Sequence, residues 1–364
     1  MKSLLAKLFV TLLFCSVTIP LSAQFSGSGK GTESDPYRIY NAVQLNQVRN
    51  FLNKKGVYFS LEADIDMTDW IAENNPVQGW QPIGNGSSSL SAFSGTFNGN
   101  GHTISNLWIN RSSSIYIGLF GYITSGANIS NLNVEGNYKG SSVVGGIVGY
   151  VYSSSSRDAI NISSCSFRGE INGSSSVGGI IGEIEFDYSR PEEFNISDCL
   201  VDCVFSVSQS DIGGLVGLID FDTGYPIDAN VINISQNQTI CKVVGGSNIG
   251  GIIGTMDHEV IVNCQSNYSH LTAMNCKDNI GGIIGCHNDY KYEWSLEDHN
   301  SNYENNYSTG IIFGANYIGG IVGIDDFHEI QDNLYNKNYA RYQKISGHNY
   351  VAGLCGEYVA EINN

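Results

Sequence analysis

Apolar and polar residues alternate in short runs that return along most of the chain. ISNLNVEG (129–136), ISSCSFRG (162–169), ISDCLVDC (196–203), ISQNQTIC (234–241), IVNCQSNY (261–268) and ENNYSTG (304–310) change character almost residue by residue and are rich in Ile, Val, Tyr and Ser. That pattern predicts short strands with one buried side. Glycine-punctuated apolar runs stand between them: IGLFG (117–121), VGGIVG (144–149), VGGIIG (177–182), IGGLVG (212–217), NIGGIIG at 248–254 and again at 279–285, IGGIVG (318–323) and VAGLCG (351–356). One marker glycine from each, Gly118, Gly146, Gly179, Gly214, Gly251, Gly282, Gly320 and Gly353, gives steps of 28, 33, 35, 37, 31, 38 and 33 residues.

A near-constant period with variable insertions describes stacked units whose loops differ in length. Glycine pairs in mid-unit would cost about 1 kcal/mol apiece in a helix, which disfavours helical repeats. Two or three short strands cannot bury their own apolar side, whereas stacking coil on coil gives every strand a neighbour. The expected fold is all-β: a parallel β-solenoid of about eight coils, with glycines where the backbone bends or another segment approaches closely.

Before the repeats, Asn41 is a plausible N-cap for a helix in which Val43, Leu45, Val48, Phe51 and Leu52 share an apolar side and which ends near Gly56. Such a helix can cover the unpaired strand groups at the end of a stack. Residues 24–92 are read as an N-terminal cap with the first coils, and 93–364 as the repeat solenoid. Residues 1–23 read as a secretory signal peptide: Lys2 and Lys7 precede an apolar run that ends at the small-residue site Leu21-Ser22-Ala23. Cys15 raises a lipoprotein alternative, which bulky Phe14 opposes. No later segment is long and apolar enough to predict a membrane span, so the expected location is secreted or on the outer cell surface.

The chain has a net charge of −17, with Gly at 43 and Pro at 6 of 364 residues. This acidity argues against a nucleic-acid partner, which needs clustered Lys and Arg. It suits a solvated surface or one that binds cations.

FSGTFNGNGHTISNLWI (93–109), IGLFG and the GGIVG-like series resemble the GLUG-motif proteins, exported bacterial proteins often of Bacteroidetes, and GSGKGTESDPYRIYNAVQL resembles the segment that commonly precedes such repeats. The resemblance implies a secreted or surface-attached protein with a right-handed β-helix-like fold. Some members carry these repeats beside a metallopeptidase domain that cleaves immunoglobulin A. That chemistry needs H-E-x-x-H, with two histidines one helical turn apart on zinc. Here His258-Glu259 is followed by Val262 and His328-Glu329 by Asp332, so the activity is not carried over and no catalytic residue is assigned. GSGKGT (27–32) lacks the full phosphate-loop pattern, and no G-x-S-x-G elbow is present.

Aligning the repeats places Leu107, Leu132, Cys165, Cys199, Asn237, Cys264, Asn306 and Leu334 in one column, where cysteine shares an inward position with leucine. Cys203 and Cys241 share another, close enough on adjacent rungs for a disulfide. Buried thiols and stacked disulfides both remain open, while the lack of a paired C-x-x-C disfavours metal. Six places beyond successive marker glycines stand Glu185, Asp220, Asp257, Asn288 and Asp326. Like charges on neighbouring strands repel, so this row needs splaying, water or a cation, for which oxygen ligands would suit Ca²⁺. Tyr188, Tyr225, Tyr290, Tyr292 and Trp294 lie in the following loops as candidate aromatic contacts for carbohydrate.

The NIS triplets at Asn128, Asn161, Asn195 and Asn233 match a glycosylation pattern, but their recurrence at the repeat period fits a strand template. The leading functional expectation is a non-catalytic binding or adhesion module for an extracellular glycan or protein. The alternatives are a polysaccharide lyase or hydrolase acting through the carboxylate row, and a structural stalk.

Overall fold

The structure, a computed structural model, describes residues 25–84, 86, 89–153, 157–186, 191–221, 231–257, 261–289, 301–327, 334–353 and 355–360. The alternating runs are strands, and one turn of the chain lays down four of them. In one coil these are Ile160–Ser163, Ser166–Gly173, Val177–Gly178 and Ile181–Phe186. Each pairs in parallel with its equivalent in the coils above and below, giving four sheets with ten, nine, seven and eight strands among the described residues. The sheets are numbered here in the order that coil visits them. The molecule is a parallel β-solenoid, as the repeat period predicts.

Register is fixed by alternation. Ile129, Ile162, Ile196 and Ile234 stack rung on rung inside the first sheet and are fully buried, while their neighbours face outward. A slip by one residue would expose the whole column. The marker glycines stack as expected: Gly145, Gly178, Gly213, Gly250, Gly281 and Gly319 are register partners on the third sheet, and each precedes a marker.

These glycines answer to close approach and not to bending. A methyl group on Gly213 would collide with the Val216 carbonyl oxygen, and one on Gly179 with the Val201 side chain across the core. The bends fall on other residue types. At the entry to the third sheet, directly before its strands or within the strands of its last coils, Tyr116, Val143, Ser176, Asp211, Asn248, Asn279, Tyr317 and Tyr350 all have φ between 50° and 63°. Left-handed backbone is costly for bulky residues. Here side chains bond up the stack, Asn279 Nδ2 donating to Asn248 Oδ1 at 2.8 Å and Asn248 Nδ2 to Asp211 Oδ1 at 2.9 Å.

At the N-terminal end, helix α1 (Ala42–Gln47) begins at Asn41, whose Oδ1 accepts from the Gln44 N–H at 3.0 Å. It is shorter than the apolar spacing predicts, because the chain tightens into a 3₁₀ turn over Val48–Phe51. Its buried side is Ala42 and Leu45, continued by Val48 and Phe51, whereas Val43 is 53% exposed. A second helix, α2 (Thr68–Asn74), follows the two-residue strand Ile65–Asp66 that starts the second sheet.

The column that contains Leu132, Cys165 and Cys199 continues through Asn237, Asn267, Asn306 and Asn338, each residue directly preceding a second-sheet strand. Three residues aligned with it from sequence lie elsewhere. Cys264 is the register partner of Ile234, and Leu334 pairs with Asn302 on the first sheet. Leu107 pairs with Gly136, in the column of Cys203, after a register shift within Thr103–Asn110. Cys203 and Cys241 are register partners, both buried and both free thiols.

Candidate functional site

The outer side of the fourth sheet carries the row that the count from the marker glycines picks out. Glu185, Asp220, Asp257, Asn288 and Asp326 are successive register partners. Strand alternation turns the first four outward, where they are partly buried; the Asp326 side chain lies outside the described residues, as do Tyr188, Tyr225, Tyr290, Tyr292 and Trp294. Rungs about 4.8 Å apart would force these like charges together. Two contacts relieve part of that: Asn288 Nδ2 donates to Asp257 Oδ1 at 2.8 Å, and Tyr150 Oη donates to Glu185 Oε2 at 2.6 Å.

The row does not begin with a carboxylate. Glu185 is preceded in register by Tyr152, and Glu183, two places earlier on the same outward side, is preceded by Tyr150 and Tyr122. Tyr116 joins them from the corner before the third sheet. Tyr116 and Tyr150 stack at 4.5 Å between ring centroids, Tyr122 lies 5.4 Å from Tyr150, and Tyr152 stacks on Tyr150 at 6.0 Å. Together with Ala92 and Val143 they form a small apolar cluster outside the main core.

This neighbourhood shapes its own ionisation. Burial, reinforced by Glu185, Asp220 and Asp211 and opposed by a hydrogen bond from Ser176, pushes the Glu183 carboxyl up to about 7. Burial and then the Glu185 carboxylate hold the Tyr150 hydroxyl well above its ordinary range, so it stays a donor. Asp211 is already engaged, accepting from Thr255 Oγ1 at 2.6 Å and Ser210 Oγ at 2.8 Å. Among the described residues no group of three or more His, Cys, Asp or Glu side chains is arranged to hold a metal ion.

Sequence reasoning found the carboxylates and missed the tyrosines, although the same count reaches them. Four places beyond Gly118, Gly146 and Gly179 stand Tyr122, Tyr150 and Glu183, and six beyond Gly146 stands Tyr152.

The other outer faces differ in chemistry. On the first sheet, the NIS triplets turn Ile inward and set Asn and Ser out, and the asparagines form a ladder: Asn195 Nδ2 to Asn161 Oδ1 at 2.9 Å, Asn233 to Asn195 at 3.0 Å, Asn263 to Asn233 at 3.1 Å. On the far part of the second sheet, Leu200, Val204, Ile240, Phe313 and Tyr339 are exposed. No helix among the described residues is long and apolar enough to cross a membrane.

No family model matches the chain. Over 117 residues, 32% of its length, it is 42% identical to a protein of Evansella cellulosilytica described as a "Putative Gly-rich membrane protein", and over 131 residues, 35% of its length, it is 35% identical to Halomucin of Haloquadratum walsbyi. The matched stretches are 13% and 1% of those two proteins. In three dimensions the chain is similar to a crystal structure from Bacteroides ovatus described as a "putative immunoglobulin A1 protease", with a TM-score of 0.56 and 22% identity over 87% of this chain and 86% of that one. At that identity the likeness is one of fold, and the chain is a parallel β-solenoid whose architecture recurs across nearly the whole of that protein.

Proposed function

We propose that this chain is a non-catalytic binding module that works outside the cell and holds an extended glycan along its fourth sheet. The observation that carries the reading is the register-locked outward row in which Tyr152 leads into Glu185, Asp220 and Asp257, with Tyr116 beside it and the buried rings of Tyr122 and Tyr150 packed beneath as its support. Carboxylates accept hydrogen bonds from sugar hydroxyls, and the partly exposed rings of Tyr116 and Tyr152 offer an apolar surface to the C–H faces of sugars. A row repeated every rung suits a polymer better than a single small molecule. The leader-like residues 1–23, the GLUG-like repeats and the partial likeness to a membrane-type protein and to Halomucin support an extracellular setting.

The exposed apolar residues of the second sheet favour a second reading, in which that face meets a protein partner.

The test is retention of the mature chain on an array of polymeric glycans, with and without Ca²⁺, together with a screen for released oligosaccharides. Retention without release, weakened at least ten-fold by Asp220→Asn combined with Tyr152→Ala, is the expected result. Released product that Asp220→Asn abolishes would establish the enzyme instead. Retention that requires Ca²⁺ would assign the acidic row to a cation.

A further inference from the structure

A groove of about 570 Å³ opens on the outer side of the second sheet, on a different face from the tyrosine and carboxylate row. One wall is α2 and the turn after it, contributing Ala72 and Pro76; the other is the sheet, contributing Trp108, Asn137, Glu135 and Arg168. The sheet residues are placed by register. Glu135, Arg168 and Asp202 form one outward row, and Trp108 and Asn137 are partners in the next. The volume falls within the range of small-ligand sites.

The polar groups in the groove are already partly committed, and what remains free defines the ligand. Arg168 lies between two carboxylates, Nη1 3.8 Å from Glu135 and Nε 3.5 Å from Asp202, so the local charge is net negative and repels an anion. Asn137 Oδ1 accepts from the Glu170 N–H at 3.2 Å, leaving its amide nitrogen to donate. Asn106, also in the lining, gives its Nδ2 to Asp66 Oδ2 at 3.0 Å, leaving its oxygen to accept. Guanidinium and amide donors thus stand beside carboxylate and amide acceptors. Adjacent hydroxyls, each able to give and accept a hydrogen bond, can satisfy both kinds at once. Trp108, Ala72 and Pro76 supply the apolar wall that the C–H face of a sugar ring covers.

We propose that this groove is a saccharide subsite that takes a short stretch of neutral sugar, the end or a branch of a glycan. The inference rests on the glycan-binding reading only for the source of its ligand, and it uses none of the same residues.

The experiment titrates the mature chain with neutral mono- and disaccharides by calorimetry and saturation-transfer NMR, alongside the same sugars carrying carboxylates or sulfates. Two variants are compared, Glu135→Gln with Arg168→Gln in the groove and Glu185→Gln on the fourth sheet. Arg168 and Glu135 have side chains 65% and 49% exposed, and an unchanged melting temperature confirms that the groove variant folds. The expected result is millimolar binding of at least one neutral sugar, weakened ten-fold or more by the groove variant and unchanged by Glu185→Gln. Binding untouched by the groove variant, a preference for the anionic sugars, or no binding of short sugars would overturn the subsite. In each of those cases retention of polymeric glycans would leave the proposed function standing; loss of that retention too would overturn both.

Discussion

The two ends of the solenoid fill the same interior positions with opposite chemistry. In the coils nearer the N-terminus the corner column reads Leu132, Cys165, Cys199, and the facing second-sheet column reads Val134, Phe167, Val201, all buried. Further along, the corner column becomes Asn237, Asn267, Asn306 and Asn338, and the facing one becomes Thr239, Ser269 and Ser308. On the fourth sheet, Val151, Ile184 and Ile219 give way to Met256 and then to His287 and Asp325, which are buried and 3.2 Å apart between Nδ1 and Oδ1. A stack with a fixed backbone does not require apolar residues inside. It favours polar residues that find a partner within the stack, because a buried polar group left alone is costly: Thr239 Oγ1 donates to the Gly251 carbonyl at 2.6 Å and Ser308 Oγ to that of Gly320 at 3.0 Å, while Ser269 Oγ between them is buried without one.

The asparagines meet that condition by repetition. Asn237 Nδ2, Asn267 Nδ2 and Asn306 Nδ2 each donate at 3.0 Å to the Oδ1 of the next asparagine, and also to a first-sheet carbonyl: Ile196, Ile234 and Cys264. Each Oδ1 also accepts from the backbone N–H of the preceding corner residue, as with Asn237 N to Asn267 Oδ1 at 3.0 Å. The switch from thiol to amide is closed at its boundary by Cys199, whose N–H donates to Asn237 Oδ1 at 2.9 Å.

The largest predicted effect follows from cutting this ladder in the middle. Asn267→Ala leaves the Asn237 backbone N–H without a partner and takes from the Asn237 amide one of its two acceptors. At about 1–3 kcal/mol for each donor left unpaired, the loss of stability is about 2–5 kcal/mol, read as a fall in the urea midpoint at constant slope. A loss under about 1 kcal/mol would mean that the ladder is no more than space-filling and that the two ends do not differ in kind.

A smaller effect tests the outward row, where the same rule is not met. Carboxylates accept but do not donate, so Glu183, Glu185 and Asp220 cannot satisfy one another as asparagines do. Glu183 answers by keeping its proton, its carboxyl lying near 7 against 4.5 in the unfolded chain. Between those values the native state holds a proton that the unfolded state has released. The contribution is therefore complete below about 4.5 and is lost as pH rises through about 7. Glu183→Gln should leave stability unchanged at pH 4 and raise it by about 1–3 kcal/mol relative to the native chain at pH 8. Parallel pH profiles for the two proteins would refute the assignment.

The repeat period and the inward and outward alternation were legible in the sequence because they are properties of every rung. So was the acidic row, which needs only a count from the glycines. Single-rung exceptions were not legible. Leu107 was displaced by an irregularity between Ile104 and Leu107, which leaves no mark on residue type. Cys264 falls in the corner column when IVNC (261–264) is aligned with ISSC, ISDC and ISQN, although the spacing Asn233 to Asn237, Asn263 to Asn267 and Asn302 to Asn306 keeps the ladder in register. The tyrosines were sought in the loops beside the acids, whereas the strand register put Tyr122, Tyr150 and Tyr152 beside Glu183 and Glu185. The groove under α2 had no sequence signal, because helix and sheet meet there only in the fold.

The smallest effect completes the comparison by making the same replacement at the same column in the other half. Cys165 Sγ lies 3.3 Å from the Ser163 carbonyl oxygen and 3.6 Å from that of Ile129, the contacts of a weak donor. Both carbonyls belong to first-sheet strands that already pair along the stack. Cys165→Ala therefore removes one buried sulfur and orphans no strong polar group. The expected loss is about 1 kcal/mol, close to that for a buried methylene. A loss as large as that for Asn267→Ala would show that the thiols form a ladder of their own and that a single rule governs the whole stack. A loss several-fold smaller would show that what the distal coils need from this column is hydrogen bonding and what the proximal coils need is volume.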